Sequence, residues 1–270
     1  MSSLYTHSLL SHSIAKFVMQ KIVFCGRLVL ILAFFSGCDK EKVSEDAQIT
    51  LGRELFHDTR FSSSGEQSCA TCHPDGHTDN RKWHFPAIHD SSSGKPDSLK
   101  TLTLWGIAQT GPPYLWSGRT TGLYEITKLY TDTIMGGLAS HEELEALVAY
   151  QKSLVAPSNP WIRNDGELTM EQQRGKKIYE TKGFCSPCHP APTGTNGFVK
   201  DIGTGGFFKT PSLIAMYSKS DFFHDGRAKT LRDVIHFYIA DPENKLRDHD
   251  FIINLSDQEI SDLIEYLKSF

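Results

Sequence analysis

One five-residue motif occurs twice in this chain and constrains its fold more than any other feature. Cys-x-x-Cys-His is found at 69–73, within SCATCHPD, and again at 185–189, within FCSPCHPA. Three longer segments also recur in the same order. Residues 51–73 are similar to 174–189, residues 100–123 to 209–231, and residues 138–154 to 255–270. A fixed order of recurring segments indicates tandem duplication. We therefore expect two copies of one structural unit, joined by the proline-containing segment 155–161.

Each copy is predicted to be mostly helical. A serine followed three residues later by glutamate, the pattern of a helix-starting capping box, occurs at 140–143 and at 256–259. The second box precedes apolar residues with the periodicity of an amphipathic helix, and these are Ile260, Leu263, Ile264 and Leu267. The segments 74–98 and 191–208 are rich in Gly, Pro, Ser and Asp and are predicted loops. Helices joined by such loops have a small apolar core, so another group is expected to fill each centre.

The repeated motif predicts which group that is. Two thiols separated by two residues can each add to a vinyl group of one porphyrin, and the histidine that follows can ligate the iron as a neutral imidazole. A redox dithiol or half of a zinc site would explain one such motif, but the Cys pairs of a zinc ribbon lie only about 15–20 residues apart. We therefore expect two covalently bound c-type haems. The first would be held by Cys69, Cys72 and His73, and the second by Cys185, Cys188 and His189.

The first 38 residues have the composition of an export signal. Basic residues without any acidic one precede the apolar run 28–35, and Ser-Gly-Cys follows it. The apolar run is too short to span a bilayer, which needs about 20 residues. The ending resembles a bacterial lipobox, although Phe35 departs from it, so Cys38 is expected to carry a lipid that anchors a periplasmic protein to a membrane. Simple cleavage near Gly37 is the alternative, and Met19 is an alternative start.

The charge of the chain bears on its partners. Removal of the first 38 residues, which include Lys16, Lys21 and Arg27, takes the formal net charge from −4 to −7. An acidic chain argues against nucleic acid as a partner, because nucleic acid binding requires a basic surface. The charge suits a small basic protein partner, and an ordinary solvated acidic surface explains it equally well.

The residue that would ligate each iron opposite the motif histidine is not determined by spacing alone. After the first motif the candidates are His77, His84, His89 and Met135. After the second motif they are Met216, His224, His236, Tyr238 and His249. Each of these residues could instead be an ordinary packing or surface residue.

Three segments resemble one known family. GRELFHDTRFSSSGEQSCATCH (52–73), PPYLWSGR (112–119) and the segment 209–238 are similar to the bacterial dihaem cytochrome c peroxidase and MauG-like superfamily. The resemblance runs from about Ile49 to Phe270. It implies a mostly α fold with two tandem cytochrome c-like lobes, each around one haem. We expect a signal peptide at 1–38, an N-terminal lobe at 39–160 and a C-terminal lobe at 161–270.

The resemblance also implies roles for individual residues. In the peroxidases a histidine of the loop after the first motif caps the N-terminal iron, and His89 is the nearest match, with His84 next. Trp83 and Trp105 are candidates for the aromatic residue between the haems, with plain packing as the alternative. At the second haem Tyr238 stands where the peroxidases place a methionine, as in the MauG-like branch, and Met216 is an alternative ligand. Tyr130 occupies the equivalent place in the first copy, so Tyr238 could also be a shared packing residue.

Two departures from the family bear on activity. The peroxidases carry a Gln and a Glu that handle protons over the open iron, but Ile126 and Ile134 stand at these positions. Glu125 is the nearest carboxylate and the candidate catalytic residue, although one residue along a helix turns a side chain by about 100°. It could equally be a solvated helix charge. Lys100 replaces an Asn ligand of the calcium ion that often lies between the lobes, which argues against calcium here.

The resemblance implies an activity and two alternatives. As a peroxidase-like oxidoreductase, the protein would take electrons from a small cytochrome c or cupredoxin at the second haem and reduce hydrogen peroxide at the first. The missing Gln and Glu favour a second hypothesis, a two-haem electron carrier without chemistry of its own. A third hypothesis, MauG-like oxidation of a protein partner, depends on Tyr238 as a ligand.

Overall fold

The computed structural model describes residues 44–84, 98–239 and 253–270. The chain divides into two units, Met1–Val43 and Ser44–Phe270, and every described residue belongs to the second. Cys38, His89 and His249 therefore lie outside the described residues, as does the predicted signal peptide. Within the described ranges, none of the helices combines the length and the apolar composition that crossing a membrane requires.

The described chain is mostly helical, as the sequence predicts. The N-terminal lobe contains α1 (Glu45–His57), α2 (Cys69–Cys72), α3 (Ile107–Thr110), α4 (Leu123–Leu129) with a π turn at Tyr130–Ile134, and α5 (His141–Ser153). The C-terminal lobe contains α6 (Met170–Glu180), α7 (Leu231–Ile239) and α8 (Asp257–Leu267). Short antiparallel ribbons pair β1 (Lys82–Trp83) with β2 (Leu99–Lys100), and β3 (Val199–Lys200) with β4 (Phe208–Lys209). Three 3-10 turns complete the elements, at Thr59–Phe61, Pro74–Gly76 and Met216–Ser218.

Capping boxes fix where the long helices begin. Both predicted boxes are confirmed: the Glu143 and Glu259 backbone N–H groups donate to the Ser140 and Ser256 hydroxyls, and each glutamate accepts from the serine N–H in return. A third box, Thr169 with Gln172, starts α6. These contacts satisfy N–H groups that the first turn of a helix leaves unpaired.

Each lobe is built on one close helix crossing. A Cβ atom at Gly52 of α1 would lie 1.9 Å from the Ala146 carbonyl oxygen of α5. The equivalent Cβ atom at Gly175 of α6 would lie 2.0 Å from the Asp262 carbonyl oxygen of α8. Only glycine permits backbones to approach so closely, so the duplicated sequence folds into two equivalent crossings.

The apolar cores lie beside these crossings and differ in size. The N-terminal core consists of Leu55, Phe56, Phe61, Ala146, Leu147, Tyr150 and Leu154. The C-terminal core consists of Ile178, Tyr179, Leu213, Met216, Leu231, Ile235, Ile253, Leu255, Ile260, Leu263, Tyr266 and Leu267. Among the described residues, the N-terminal cluster therefore has fewer buried apolar side chains to hold the lobe folded.

The two lobes contact each other reciprocally. The Lys100 backbone N–H donates to the His224 carbonyl oxygen at 2.8 Å, and the Lys209 N–H donates to the Trp116 carbonyl oxygen at 2.7 Å. Lys100 and Lys209 occupy equivalent positions of the two copies, and so do Trp116 and His224. The contact of Lys100 with His224 is thus repeated by the counterparts of these two residues, Lys209 and Trp116. An interface that repeats its contacts in this way has pseudo-two-fold symmetry.

Candidate haem cavity

Both Cys-x-x-Cys-His motifs open onto one cavity of about 680 Å³. The motif residues on its wall are Cys69, Cys72, His73, Cys185, Cys188 and His189. In both motifs the histidine N–H donates to the first cysteine carbonyl at 2.9 Å, which turns the two thiols and the imidazole toward the same space. The structure thus brings together all six residues that the sequence predicts as haem ligands or attachment points.

The four thiols suit covalent attachment of a cofactor. None of them is in a disulfide. Burial raises the pKa of Cys69 to about 11 and that of Cys72 and Cys185 to about 12, and it also raises the pKa of Cys188. Each thiol is therefore neutral at pH 7, as a group buried in an apolar wall should be. Protonated thiols in a large apolar cavity fit the formation of thioether bonds to a porphyrin.

The two motif histidines are held differently. Burial lowers the pKa of His73 to about 4 and also lowers that of His189, so both rings are neutral and suited to bind iron. The His189 Nδ1 atom lies 2.7 Å from the Gly194 carbonyl oxygen, which fixes the proton on Nδ1 and leaves Nε2 free for a metal. The His73 Nδ1 atom is buried and has no hydrogen-bond partner among the described residues.

The candidate opposite ligands of the second motif lie on the cavity wall. Met216 is buried and Tyr238 is partly buried, and both line the cavity. Burial raises the pKa of Tyr238, and burial raises that of its counterpart Tyr130 to about 12. Because both tyrosines line the cavity at equivalent positions, the structure does not single out Tyr238 as a ligand.

Of the other candidate ligands, Met135 and His224 also line the cavity, whereas His77, His84 and His236 do not. The ring of His77 stacks on Trp105 at 4.0 Å, and its Nε2 atom lies 3.2 Å from the Ser218 hydroxyl of the other lobe. His77 therefore contributes to the contact between the lobes instead of facing the cavity.

Three tryptophans line the cavity, of which the sequence pointed to two. Trp83 donates from Nε1 to the Asp79 carboxylate at 2.9 Å, and Trp105 donates to the Asp75 carbonyl at 2.8 Å. Sequence reasoning missed Trp116, which donates from Nε1 to the Lys100 carbonyl at 2.8 Å.

Trp116 lies where the lobes meet. It accepts the backbone bond from Lys209, and its ring lies edge-on to Phe208 and His224, with centroids 6.4 and 6.3 Å away. Trp116 and His224 occupy equivalent positions of the two copies, and this equivalence is the sequence signal that could have identified Trp116.

The candidate catalytic residue Glu125 does not reach the cavity. Its side chain is exposed and its carboxylate lies beside Gly122, while Ile126 and Ile134 line the wall. The reason is the helical turn of about 100° per residue, which directs position 126 inward and position 125 outward. The nearby Asp132 binds Lys128 and accepts from the Thr131 hydroxyl at 2.9 Å, and it does not line the cavity either.

A buried polar pair on the N-terminal side of the cavity was not apparent from motifs. The Gln151 side-chain amide donates to the Thr127 hydroxyl at 2.9 Å, and that hydroxyl donates to the Leu123 carbonyl at 2.8 Å. Gln151 and Thr127 are both buried and both line the cavity. Their counterparts in the second copy are Leu267 and Ile235, so a position-by-position comparison of the copies would have found them.

Lys100 occupies a position between the lobes that could otherwise suit a cation. Its ammonium donates to the Ser220 and Asp221 backbone carbonyls and, at 3.2 Å, to the Asn80 side-chain oxygen. Oxygen atoms of this kind are the ligands that calcium prefers. Among the described residues, no cluster of His, Cys, Asp and Glu side chains forms a metal site.

Comparison with known proteins matches both halves of the chain. The di-haem cytochrome c peroxidase family model matches residues 46–156, and the cytochrome c model matches residues 172–270. Hydrazine synthase subunit gamma of Kuenenia stuttgartiensis is 28% identical over 281 residues, covering 82% of this chain and 77% of the relative. Methylamine utilization protein MauG of Methylophilus methylotrophus is 28% identical over 279 residues, covering 82% and 81%.

Solved structures share the fold. A Kuenenia stuttgartiensis hydrazine synthase structure aligns with a TM-score of 0.69 and 26% identity, over 83% of this chain and 87% of that one. The diheme peroxidase BthA from Burkholderia thailandensis aligns with a TM-score of 0.53 and 16% identity, over 84% and 88%. The predicted arrangement of tandem cytochrome c-like lobes is thereby confirmed.

Proposed function

Because the chain belongs to the dihaem cytochrome c peroxidase and MauG-like family, we propose that it is an exported oxidoreductase that reduces hydrogen peroxide with electrons from a small redox protein. The donor would be a small cytochrome c or a cupredoxin that meets the C-terminal lobe. Reduction of one peroxide to two waters takes up two electrons and two protons, so the protein must admit protons as well as electrons. A lipid on Cys38 would hold the protein at the periplasmic face of a membrane.

The observation that carries this proposal is the single cavity shared by both Cys-x-x-Cys-His motifs. Haem c, when bound, supplies an iron that exchanges single electrons and can bind peroxide at an open coordination position. Because the two motifs line one cavity, their cofactors would lie close enough for electron exchange without movement of the lobes. Trp116 lines this cavity at the contact between the lobes.

The residues of this chain divide the remaining tasks. The Gly194 carbonyl orients His189, which suits a site that only exchanges electrons. On the N-terminal side, Ile126 and Ile134 exclude water, while the Gln151 amide holds the Thr127 hydroxyl at the wall. The Thr127 hydroxyl already donates its proton to the Leu123 carbonyl and a hydroxyl is a poor acid, so we expect slower peroxide cleavage than a carboxylate would give.

The test is peroxide consumption by the holoprotein with reduced cytochrome c as donor, after reduction of the higher-potential haem only. Steady turnover is expected, and Ile134→Glu should raise its rate by about 100-fold, because it places a carboxylate on the cavity wall. Glu125→Gln is the matched control and should leave the rate unchanged. Absence of turnover in a protein that contains both haems would contradict the proposal.

A second candidate function is electron transfer without peroxide chemistry. It is favoured by the two isoleucines on the wall, since neither Ile126 nor Ile134 can carry a proton. Cyanide binding to the holoprotein after reduction of the higher-potential haem only separates the candidates, because a carrier with both irons fully ligated in every redox state binds none. MauG-like oxidation of a protein partner would need Tyr238 as a ligand. Replacement of Tyr238 by Phe should then change the haem spectrum, while Tyr130→Phe should not.

A further inference from the structure

The charged residues on the cavity wall are mostly positive. The lysines among the described lining residues are Lys100, Lys200, Lys209 and Lys219. Asp221 is the only carboxylate of the described wall, and it is bound by Lys229 at 2.7 Å. An apolar cavity with a surplus of ammonium groups is suited to a ligand that is apolar in its body and negatively charged at its edge.

Like the other three lysines of this wall, Lys219 forms no ion pair with a carboxylate of the described residues. Its side chain is partly buried, and the surface that it does expose lines the cavity. Its ammonium donates to the Ser212 carbonyl at 2.9 Å, and no carboxylate of the described residues forms an ion pair with it. Burial, with the nearby charge of Lys100, lowers the pKa of Lys219 to about 7. A lysine buried in this way is costly unless an anion completes the site.

The neighbouring lysine shows what a completed site looks like. The Lys100 ammonium donates to two backbone carbonyls and to the Asn80 side chain, which uses all three of its protons. Lys219 has one such partner, so two of its N–H donors remain for a ligand in the cavity.

Lys219 also lies close to the second motif. Its backbone neighbours are both fixed at the contact between the lobes, since Ser218 meets His77 and the Ser220 carbonyl meets Lys100. The Lys219 ammonium donates to the Ser212 carbonyl, and the Ser212 hydroxyl donates to the Thr193 carbonyl at 2.7 Å. The next residue, Gly194, accepts from His189 Nδ1 at 2.7 Å, so a short chain of hydrogen bonds links the ammonium to the predicted iron ligand of the second lobe.

We propose that Lys219 is a cofactor-binding residue whose ammonium pairs with a propionate carboxylate of the haem attached to Cys185 and Cys188. The propionates are the anionic groups of haem, and an ammonium–carboxylate contact is a strong, charge-assisted hydrogen bond. The pairing satisfies the buried lysine and fixes one edge of the haem at the contact between the lobes. The inference rests on haem attachment at the second motif and not on peroxidase activity.

The proposal is tested on the holoprotein by two measurements that do not depend on turnover. The first is the resonance Raman propionate bending mode of each haem, read separately by poising the protein between the two midpoint potentials. The second is the midpoint potential of each haem. Lys219→Met should shift the propionate mode and lower the midpoint potential of the second haem, because a nearby positive charge favours the reduced iron. Lys219→Arg should retain both values.

Lys176→Met is the matched control, since Lys176 is an exposed lysine of the same lobe. It should change neither quantity. An unchanged propionate mode and potential in a Lys219→Met protein with both haems would overturn the proposal, and so would a change confined to the first haem. If the Met variant does not accumulate, Lys219→Gln replaces it and is judged by the same two outcomes. Haem content measured first separates failure of this pairing from failure of haem attachment.

Discussion

Thr127 and Gln151 form a buried hydrogen-bonded pair on the cavity wall of the N-terminal lobe, whereas Ile235 and Leu267 occupy the same positions of the C-terminal lobe. Equivalent helix positions thus carry a polar pair in the N-terminal lobe and an apolar pair in the C-terminal lobe. An apolar wall lowers the local dielectric and keeps water away, which suits electron exchange. A hydrogen-bonding wall can orient a polar substrate. The proposed reduction of peroxide on the N-terminal side would use this difference between the walls.

At the helix crossings, by contrast, the C-terminal lobe has the additional polar contact. In the C-terminal lobe Arg174 makes a two-point ion pair with Asp262, at 2.7 and 2.9 Å, beside the Gly175 contact. The equivalent residues of the N-terminal lobe are Leu51 and Ala146. The C-terminal lobe therefore has both the larger apolar core and an extra electrostatic link, and we expect it to be the more stable lobe.

The largest expected effect comes from removing one haem attachment site at a time. Cys69→Ala with Cys72→Ala should leave the N-terminal lobe unfolded, because its own core is small. Cys185→Ala with Cys188→Ala should leave the C-terminal lobe loosened but still compact. Limited proteolysis with mapping of the cleavage sites measures the difference, and pyridine haemochrome spectra confirm that each variant keeps one haem. Equal protection of both lobes would contradict the proposed difference in stability.

The next largest effect is the loss of stability when the glycine at a helix crossing is replaced, and it should be equal in the two lobes. Alanine at Gly52 or Gly175 would place a methyl group about 2 Å from a backbone oxygen, and overpacking of this kind typically costs about 1–3 kcal/mol or more. Chemical denaturation of the holoprotein measures the loss. Gly122→Ala is the control, because its Cβ would meet only the flexible Glu125 carboxylate. A large loss at one crossing alone would mean that the two crossings are not equivalent.

A smaller effect should follow from giving the N-terminal lobe the residues of the other lobe. Thr127→Ile alone leaves the buried Gln151 amide without its partner and should cost about 1–3 kcal/mol. The double variant with Gln151→Leu should recover most of that loss, because replacing both partners of a buried hydrogen bond by apolar groups is nearly neutral. Thermal melts of the two single variants and the double variant give the coupling. Additive losses would show that the pair is not a unit.

The sequence predicted the frame of this molecule well. The paired motifs, the helix starts at Ser140 and Ser256, and the duplicated order all follow from local chemistry that a few adjacent residues carry. Such features do not depend on how distant segments meet.

What the sequence did not predict depends on distant contacts. Glu125 was placed correctly on a helix, but which face points inward is decided by packing of Ile126 and Thr127 against other elements. Trp116 was missed because its position follows from its bonds to Lys100 and Lys209. The choice between Met216 and Tyr238 depends on the side of the haem that each would face, which spacing along the chain does not encode.

The smallest expected effect tests the extra ion pair of the C-terminal lobe. The hydrogen bond from Arg174 is the main reason that the pKa of Asp262 lies below its usual value. The folded pKa is therefore lower than the unfolded one, so the stability that Asp262 contributes is complete above pH 4 and is lost as the pH falls through the folded value. Asp262→Asn should lower the free energy of unfolding at pH 7 by about 1 kcal/mol.

The size of this effect follows from the exposure of the pair. Asp262 is buried, with 5% of its side chain exposed, but 48% of the Arg174 side chain is exposed. The Arg174 Nη2 atom also lies 3.7 Å from the Glu171 Oε1 atom. When Asp262 is changed, the Arg174 guanidinium can therefore be hydrated and can pair with Glu171, which keeps the loss of unfolding free energy small. The difference between wild type and Asp262→Asn should shrink as the pH falls below about 4 and vanish below the folded pKa of Asp262. Asp165→Asn, in an exposed pair, should change stability little at any pH. A loss that is the same at every pH would mean that Asp262 acts through packing, and the lobes would then differ only in their cores.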